Sequence, residues 1–361
     1  MKKKEKELFK EICKFKQEGF NESLLAYATP HVLGHLFFNR MQGVAYGRLE
    51  AANALGKVNR EFRNSLKSAY EQNVEKNRSF YICVAKIAKL LSPLQGRIAM
   101  LKGAYLCRYY PQGYRVSNDI DLLALPQDIT TIGMLLSGVG FRQGTIKNGV
   151  FIPAKRQEII ASKMLRGETV PYIKQVDMPG MKYLEIDINF SLDYKNGNDD
   201  LVANMLDRVV VLDEKMLGIP TLCREDFIIH LCAHLYKEAT TLPWVEMKRD
   251  MTLYKYADIY MLLKEMTKKE LEAIWVRATE LGLEKECAYA IFETAELFDM
   301  QNHPAVEMAW RKVPNAAEVL YRVISPKDNK VYIYQTKDAT MRFFMDNRRR
   351  DLKEVEDEWK N

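Results

Sequence analysis

No two of the six cysteines in this sequence form a CxxC pair. Cys13, Cys83, Cys107, Cys223, Cys232 and Cys287 are scattered, several inside apolar helical runs such as "FYICVAKIAKLL". That spacing argues against a zinc ribbon or a redox dithiol and predicts reduced core thiols in a cytoplasmic protein. No run of about 18 apolar residues occurs, so no transmembrane helix is expected. The basic start, "MKKKEKELFKEICKF", has no apolar stretch behind it, so no signal peptide is expected and its lysines read as a solvated helix end. Internal repeats and low-complexity tracts are missing as well. Charge of one sign does not dominate. A net +6 over 361 residues is too mild for a dedicated DNA binder and suits an enzyme that handles phosphorylated or otherwise anionic substrates.

What is present is enough apolar material for a substantial core, 47% of residues against 28% charged, in a chain long enough for two or three modules. Residues 1–95 read as a helical region. Phe80, Val84, Ile87 and Leu91 form an i, i+4, i+7, i+11 stripe, and "SPLQG" ends the helix. Residues 96–200 change texture. "RIAMLKG" reads as a strand, "AYLCRYY" as a short helix, "VSNDIDLLAL" as a strand and "PQDITTIGMLLSGVG" as a helix. "FIPAKRQEIIASKML" reads as irregular and then helical. "ETVPYIKQV" and "MKYLEIDINFSL" read as strands joined by a "DMPG" turn. Residues 201–361 read as a helical domain, with Trp310 and Tyr321 as core anchors and the tail "NRRRDLKEVEDEWKN" as a solvated helix. The class is α+β, a small mixed sheet flanked by helical regions.

Two aspartates stand two apart in the apolar strand "VSNDIDLLAL". Strand alternation puts Ser117, Asp119 and Asp121 on one face and Asn118, Ile120 and Leu122 on the other, with the carboxylates roughly 7 Å apart. Unpaired, two anions there repel each other and lose hydration. A divalent cation removes both costs, and oxygen-only ligands favour Mg²⁺ or Mn²⁺ over Zn²⁺. In "LEIDINF", Glu185, Asp187 and Asn189 share one face, so Asp187 is a third candidate ligand. Three aspartates on adjacent strands suit a two-metal phosphoryl or nucleotidyl displacement. "LKGAYL" places Gly103 and Ala104 at a strand-to-helix turn whose amides suit phosphate, with Lys102 and Arg115 as cations close in sequence.

These residues resemble the nucleotidyltransferases that share the DNA polymerase β fold. More narrowly, "MLKGAYLCRYYPQGYRVSNDIDLLAL", "LEIDINFSL" and "REDFIIHLCAHL" resemble a bacterial family of nucleotidyltransferases, and "LKG…R.S.DIDLL" is similar to AbiEii-type toxin nucleotidyltransferases. The resemblance covers roughly residues 75–265. It implies Asp119, Asp121 and Asp187 as catalytic metal ligands, Asp187 beside the acceptor hydroxyl, and Gly103 with Lys102 at the phosphates. It implies Arg115 and Ser117 in triphosphate binding or site support. Two positions depart from the pattern: Ala104 replaces the second small turn residue, often Ser, and Asn189 stands where His follows the third carboxylate.

His230 and His234 are four apart on a helix without HExxH, and they read as core or bracing residues rather than a metal pair. His234 matches a position that is often His in the resembled family, where it lines the nucleotide pocket or braces domains. Lys255 and Asp258 read as an intrahelical ion pair, and the AbiEii-like pattern makes Lys255 a nucleotide contact. Phe37, Phe38, Phe80, Tyr81, Tyr109, Tyr110 and Tyr114 read as core aromatics, with Tyr114 retained as a pocket candidate. The expected activity is transfer of an NMP from an NTP, with Mg²⁺, to an acceptor hydroxyl or phosphate. A small molecule or modified peptide is favoured as acceptor over RNA. The alternatives are toxin-like transfer to tRNA, γ-phosphoryl transfer, and a catalytically silent nucleotide binder.

Overall fold

A computed structural model describes residues 1–15, 19–192, 199–212, 218–316 and 320–355. The chain folds as two compact units built from interleaved segments. One holds residues 1–73, 113–115 and 231–361, and the other 74–112 and 116–230.

The second unit is organised by a six-stranded sheet. Its strands are β1 (Ile98–Met100), β2 (Asp119–Ala124), β3 (Arg142–Lys147), β4 (Val150–Pro153), β5 (Tyr172–Met178) and β6 (Met181–Asn189). They lie in the order β1-β2-β6-β5-β3-β4. β2 and β6 run parallel and the other neighbours antiparallel. Alternation explains the faces. Ile120, Leu122 and Ala124 of β2 and Leu184, Ile186 and Ile188 of β6 enter one apolar cluster. Phe80, Val84 and Ile87 fill the same cluster from the helix over Arg60–Leu90, with Leu91 just past its end, and Ile129, Ile132 and Leu136 from the helix over Ile129–Gly138. The predicted helical stripe is therefore a core stripe. Burying side chains of this size contributes roughly 1.5–3 kcal/mol each, an upper estimate.

The "DMPG" turn joins β5 to β6 as expected. Gly180 takes φ +69°, and a Cβ there would stand 3.1 Å from Lys76 Cβ. Two hairpins were not legible as strands. β3 and β4 meet at Asn148-Gly149, both at positive φ, a two-residue turn matched to strand twist. "RQGTIK" is polar because both faces of this sheet edge are largely exposed, so the apolar alternation that marks a strand is missing. β7 (Val209–Val211) pairs with β8 (Pro220–Leu222) within a stretch read as helical.

The first unit is mainly helical. It includes helices over Lys3–Ile12, Pro30–Phe38, Gln42–Ala51, Leu253–Leu263, Lys268–Leu281, Glu284–Leu297 and Pro304–Lys312. It also contains a three-stranded antiparallel sheet, β9 (Arg322–Ile324), β10 (Val331–Tyr334) and β11 (Leu352–Val355), ordered β11-β10-β9. The tail is thus a short 3-10 helix over Arg348–Asp351 followed by a strand, not the continuous solvated helix expected. Leu352 packs with Val323, Tyr332 and Tyr334, and the strand pairs with β10. Residues 356–361 lie outside the described residues. Trp310 is 48% exposed and tilts against Phe292 at 4.4 Å instead of anchoring the core. Tyr321 packs against the small sheet's cluster as expected. Phe37 and Phe38 are exposed, which corrects their reading as core, whereas Phe80 and Tyr110 are buried. Five of the six cysteines are buried, and all six are free thiols. No helix among the described residues is long and apolar enough to cross a membrane.

Candidate active site

The acidic residues assemble on the sheet face opposite the apolar cluster. Parallel pairing sets Asp121 across from Asp187 and Asp119 across from Glu185. Neighbouring strands lie about 4.8 Å apart, so four carboxylates share a small area. Asp121 is 3% exposed, while Asp119, Glu185 and Asp187 keep partial exposure. Burial first, then the charges of Asp121 and Asp119, push the Asp187 carboxyl well above the usual carboxylate range, against the opposing pull of Lys102. Burial, with Asp119 next, also raises Glu185, opposed by Lys76.

Two side chains bond to the acidic pair, and a third bonds to the neighbouring Asn118. Lys102 Nζ donates to Asp121 Oδ1 at 2.6 Å. Ser117 Oγ donates to Asp119 Oδ1 at 3.1 Å. Lys76 donates to Asn118 Oδ1. Lys102 occupies the predicted turn between β1 and a one-turn helix, Gly103–Leu106. Its backbone sits at φ +43°, a strained value for a residue with a Cβ. The Lys102 carbonyl accepts from the amides of Tyr105 and Leu106, and the Ala104 amide is engaged with the Leu101 carbonyl at 3.3 Å. Ala104 is fully buried in the apolar cluster.

The other predicted residues are held elsewhere, in the helical unit. Arg115 is buried and clamps Asp258 through Nε and Nη2 at 2.7 and 2.9 Å. That pairing replaces the expected Lys255–Asp258 contact. Lys255 donates to Glu238 and, at 3.2 Å, to the Arg249 carbonyl, and it lies over the Trp244 ring. A guanidinium matches a carboxylate in two parallel bonds, which an ammonium does not. His234 Nε2 stands 3.5 Å from Glu238 Oε1. His230, in the sheet unit, is buried. Tyr114 is half-buried against the backbone of Gly47, where a Cβ would meet its hydroxyl at 2.0 Å.

Two neighbours of the acidic strands escaped sequence reasoning. Lys76 belongs to a helix more than a hundred positions before Glu185. Glu168 acts on Asp187 from a bridge to Asn189. No local pattern marks either residue, since only the tertiary fold brings them there.

All donors on this face are oxygen, which fits a hard cation in chemistry. Lys102 already places one positive charge on Asp121. Among the described residues, no three His, Cys, Asp or Glu side chains are gathered into a metal-holding group.

A mixed sheet with helices on its apolar face is an α+β architecture consistent with a nucleotidyltransferase fold. The chain belongs to a family described as uncharacterised nucleotidyltransferase, whose model matches residues 30–299. The match takes in the strand–turn–helix at Lys102, both acidic strands and the helices of Glu238 and Asp258. No curated protein matches the sequence. Membership supports nucleotidyl transfer with an NTP as substrate.

Proposed function

We propose that this protein is a divalent-metal-dependent nucleotidyltransferase that moves an NMP from an NTP to a hydroxyl or phosphate of a small molecule or modified peptide, releasing pyrophosphate. The observation that carries this reading is the in-register pairing of Asp121 with Asp187 and of Asp119 with Glu185 on one polar sheet face. Catalysis is assigned to residues 96–200. Asp119, Asp121 and Asp187 would hold Mg²⁺ or Mn²⁺, which supplies neutralisation of the triphosphate and a lowered pKa for the acceptor hydroxyl. Burial and the charges of Asp121 and Asp119 raise the proton affinity of the Asp187 carboxylate, which suits a residue that accepts the hydroxyl proton. Lys102, the counter-charge of Asp121, would meet the phosphate oxygens beside the Gly103 turn. Ser117 orients Asp119. Arg115, Lys255 and His234 are engaged by Asp258 and Glu238 and are left out of the phosphate contacts.

The test uses NTPs labelled at the α- or γ-phosphate, Mg²⁺, and small-molecule, peptide and tRNA acceptors. Transfer of the α-label, lost in Asp121→Asn and in Asp187→Asn, is the expected result. Undiminished transfer in both variants, or transfer of the γ-label, would sink the reading. Transfer confined to tRNA would overturn the acceptor class.

A further inference from the structure

Residues 142–166 form one of the basic stretches of the chain. They contain Arg142, Lys147, Lys155, Arg156, Lys163 and Arg166 against a single acid, Glu158, a local net charge of +5. Glu158 is occupied, since its carboxylate accepts from the Lys155 backbone N–H at 2.7 Å and caps the helix over Arg156–Arg166. Arg142, Lys147, Lys155 and Arg156 are exposed.

The same stretch exposes aliphatic side chains. Val150 is 62% exposed and Ile152 42%, two apart on one face of β4. Ile160 is 46% exposed and Met164 67%, four apart on one face of the following helix. Isolated exposed aliphatics are ordinary, but four in fifteen residues on consecutive elements are a local excess. Among the described residues of that helix, only Ser162 has a buried side chain.

β4 is also the last strand of its sheet. The Ala154 amide donates to the Gln143 carbonyl at 3.0 Å, and Gly144 donates away from β4, to the Pro171 carbonyl. In an antiparallel ladder, pairs alternate between hydrogen-bonded and open. Thr145↔Ile152 and Lys147↔Val150 are therefore the bonded pairs, and Ile146↔Phe151 is open. That alternation turns the Phe151 N–H and C=O to the free edge. Only Pro153 blunts it by removing a donor.

We propose that β4 and the helix after it form a docking surface for an acidic peptide segment, bound extended as an added strand. Peptide residues on one side pack apolar groups beside Val150 and Ile152. Those on the other side place carboxylates beside Arg142, with Lys155 and Arg156 at the strand's end. The Phe151 backbone groups supply the ladder bonds. A nucleic acid would use the charge, but it gains nothing from four exposed aliphatics or an open strand edge. The one aromatic ring on β4, Phe151, lies under the Arg142 guanidinium at 4.7 Å. The proposal does not depend on the chemistry at β2 and β6, because binding is read without NTP.

The probe is a fluorescein-labelled peptide of alternating valine and glutamate, titrated with the full-length chain and followed by anisotropy. Saturable binding is expected. It should weaken about tenfold or more in Lys155→Glu/Arg156→Glu, and similarly in Val150→Lys/Ile152→Lys. Methylation of alternate peptide amides should weaken it as much in one register. All four positions are exposed, and unchanged melting curves confirm that the variants fold. The proposal fails if the peptide does not bind. It also fails if oligoglutamate or oligouridylate binds as tightly, since charge alone would then account for the surface, or if the methylated peptides bind like the parent.

Discussion

In the helical unit, Asp250 meets Arg348 at 2.6 Å, Asp258 meets Arg115 at 2.7 Å, Glu11 meets Arg48 at 2.9 Å and Glu293 meets Arg342. In the sheet unit, Asp119, Asp121, Glu185 and Asp187 face one another with Lys102 and Lys76 as their nearby cations. The first arrangement buries its carboxylates and matches each with a guanidinium, whereas the second buries them only in part and crowds like charges together. A matched pair is electrostatically complete and serves architecture. A crowded acidic face has charge left to offer, and it raises the proton affinity of its own members. The contrast separates buried acids that hold a fold from buried acids that suit chemistry.

The largest effect should come from unbalancing a matched pair. Arg342→Met strands Glu293 in a fully buried position and should cost about 3–5 kcal/mol in a denaturant titration, much of it restored by adding Glu293→Leu. On the acidic face, the loss should appear in turnover instead. Asp121→Asn should reduce nucleotidyl transfer roughly 10²–10³-fold, in the range of other removed transition-state contacts, while the melting temperature stays close to wild type.

A pH series marks where the contrast is incomplete, because burial raises the proton affinity of a matched acid as well. Burial pushes Glu293 from 4.5 up to about 7, with Arg342 opposing. The folded chain therefore holds this proton more tightly than the unfolded chain, so stability falls as pH rises from about 4.5 to 7. Between those values wild type should lose on the order of 2–3 kcal/mol relative to Glu293→Gln, measured by unfolding at each pH. The smallest effect on stability is expected at Asp187. Its raised proton affinity means that the ionised form opposes folding at neutral pH. Asp187→Asn should then stabilise the chain by about 1 kcal/mol or less, given partial exposure, while abolishing transfer.

The acidic face was legible because its signals are local. Alternation assigned Asp119 and Asp121 to one side and Ile120 and Leu122 to the other, and the same rule worked for Glu185, Asp187 and Asn189. The core stripe on the long helix was equally readable. What escaped depends on long-range pairing. β11 lies in a run dense with charge, and only its partner β10 makes it a strand. Arg115 and Asp258 are 143 positions apart, so spacing along a helix favoured the wrong partner for Asp258. Trp310 was read as core from its size, yet it sits at the surface.

The parallel register of β2 and β6 carries one more consequence. Sliding either strand by a single residue would turn Asp121 or Asp187 into the aliphatic layer and bring Ile120 or Ile186 out to water. A carboxylate in that layer, without a partner, is heavily penalised. The acids on this face therefore inspect the sheet as it forms, because an assembly with the wrong offset cannot settle. Replacing them with alanine would remove that check and leave only the exposure of the aliphatic layer to oppose slippage.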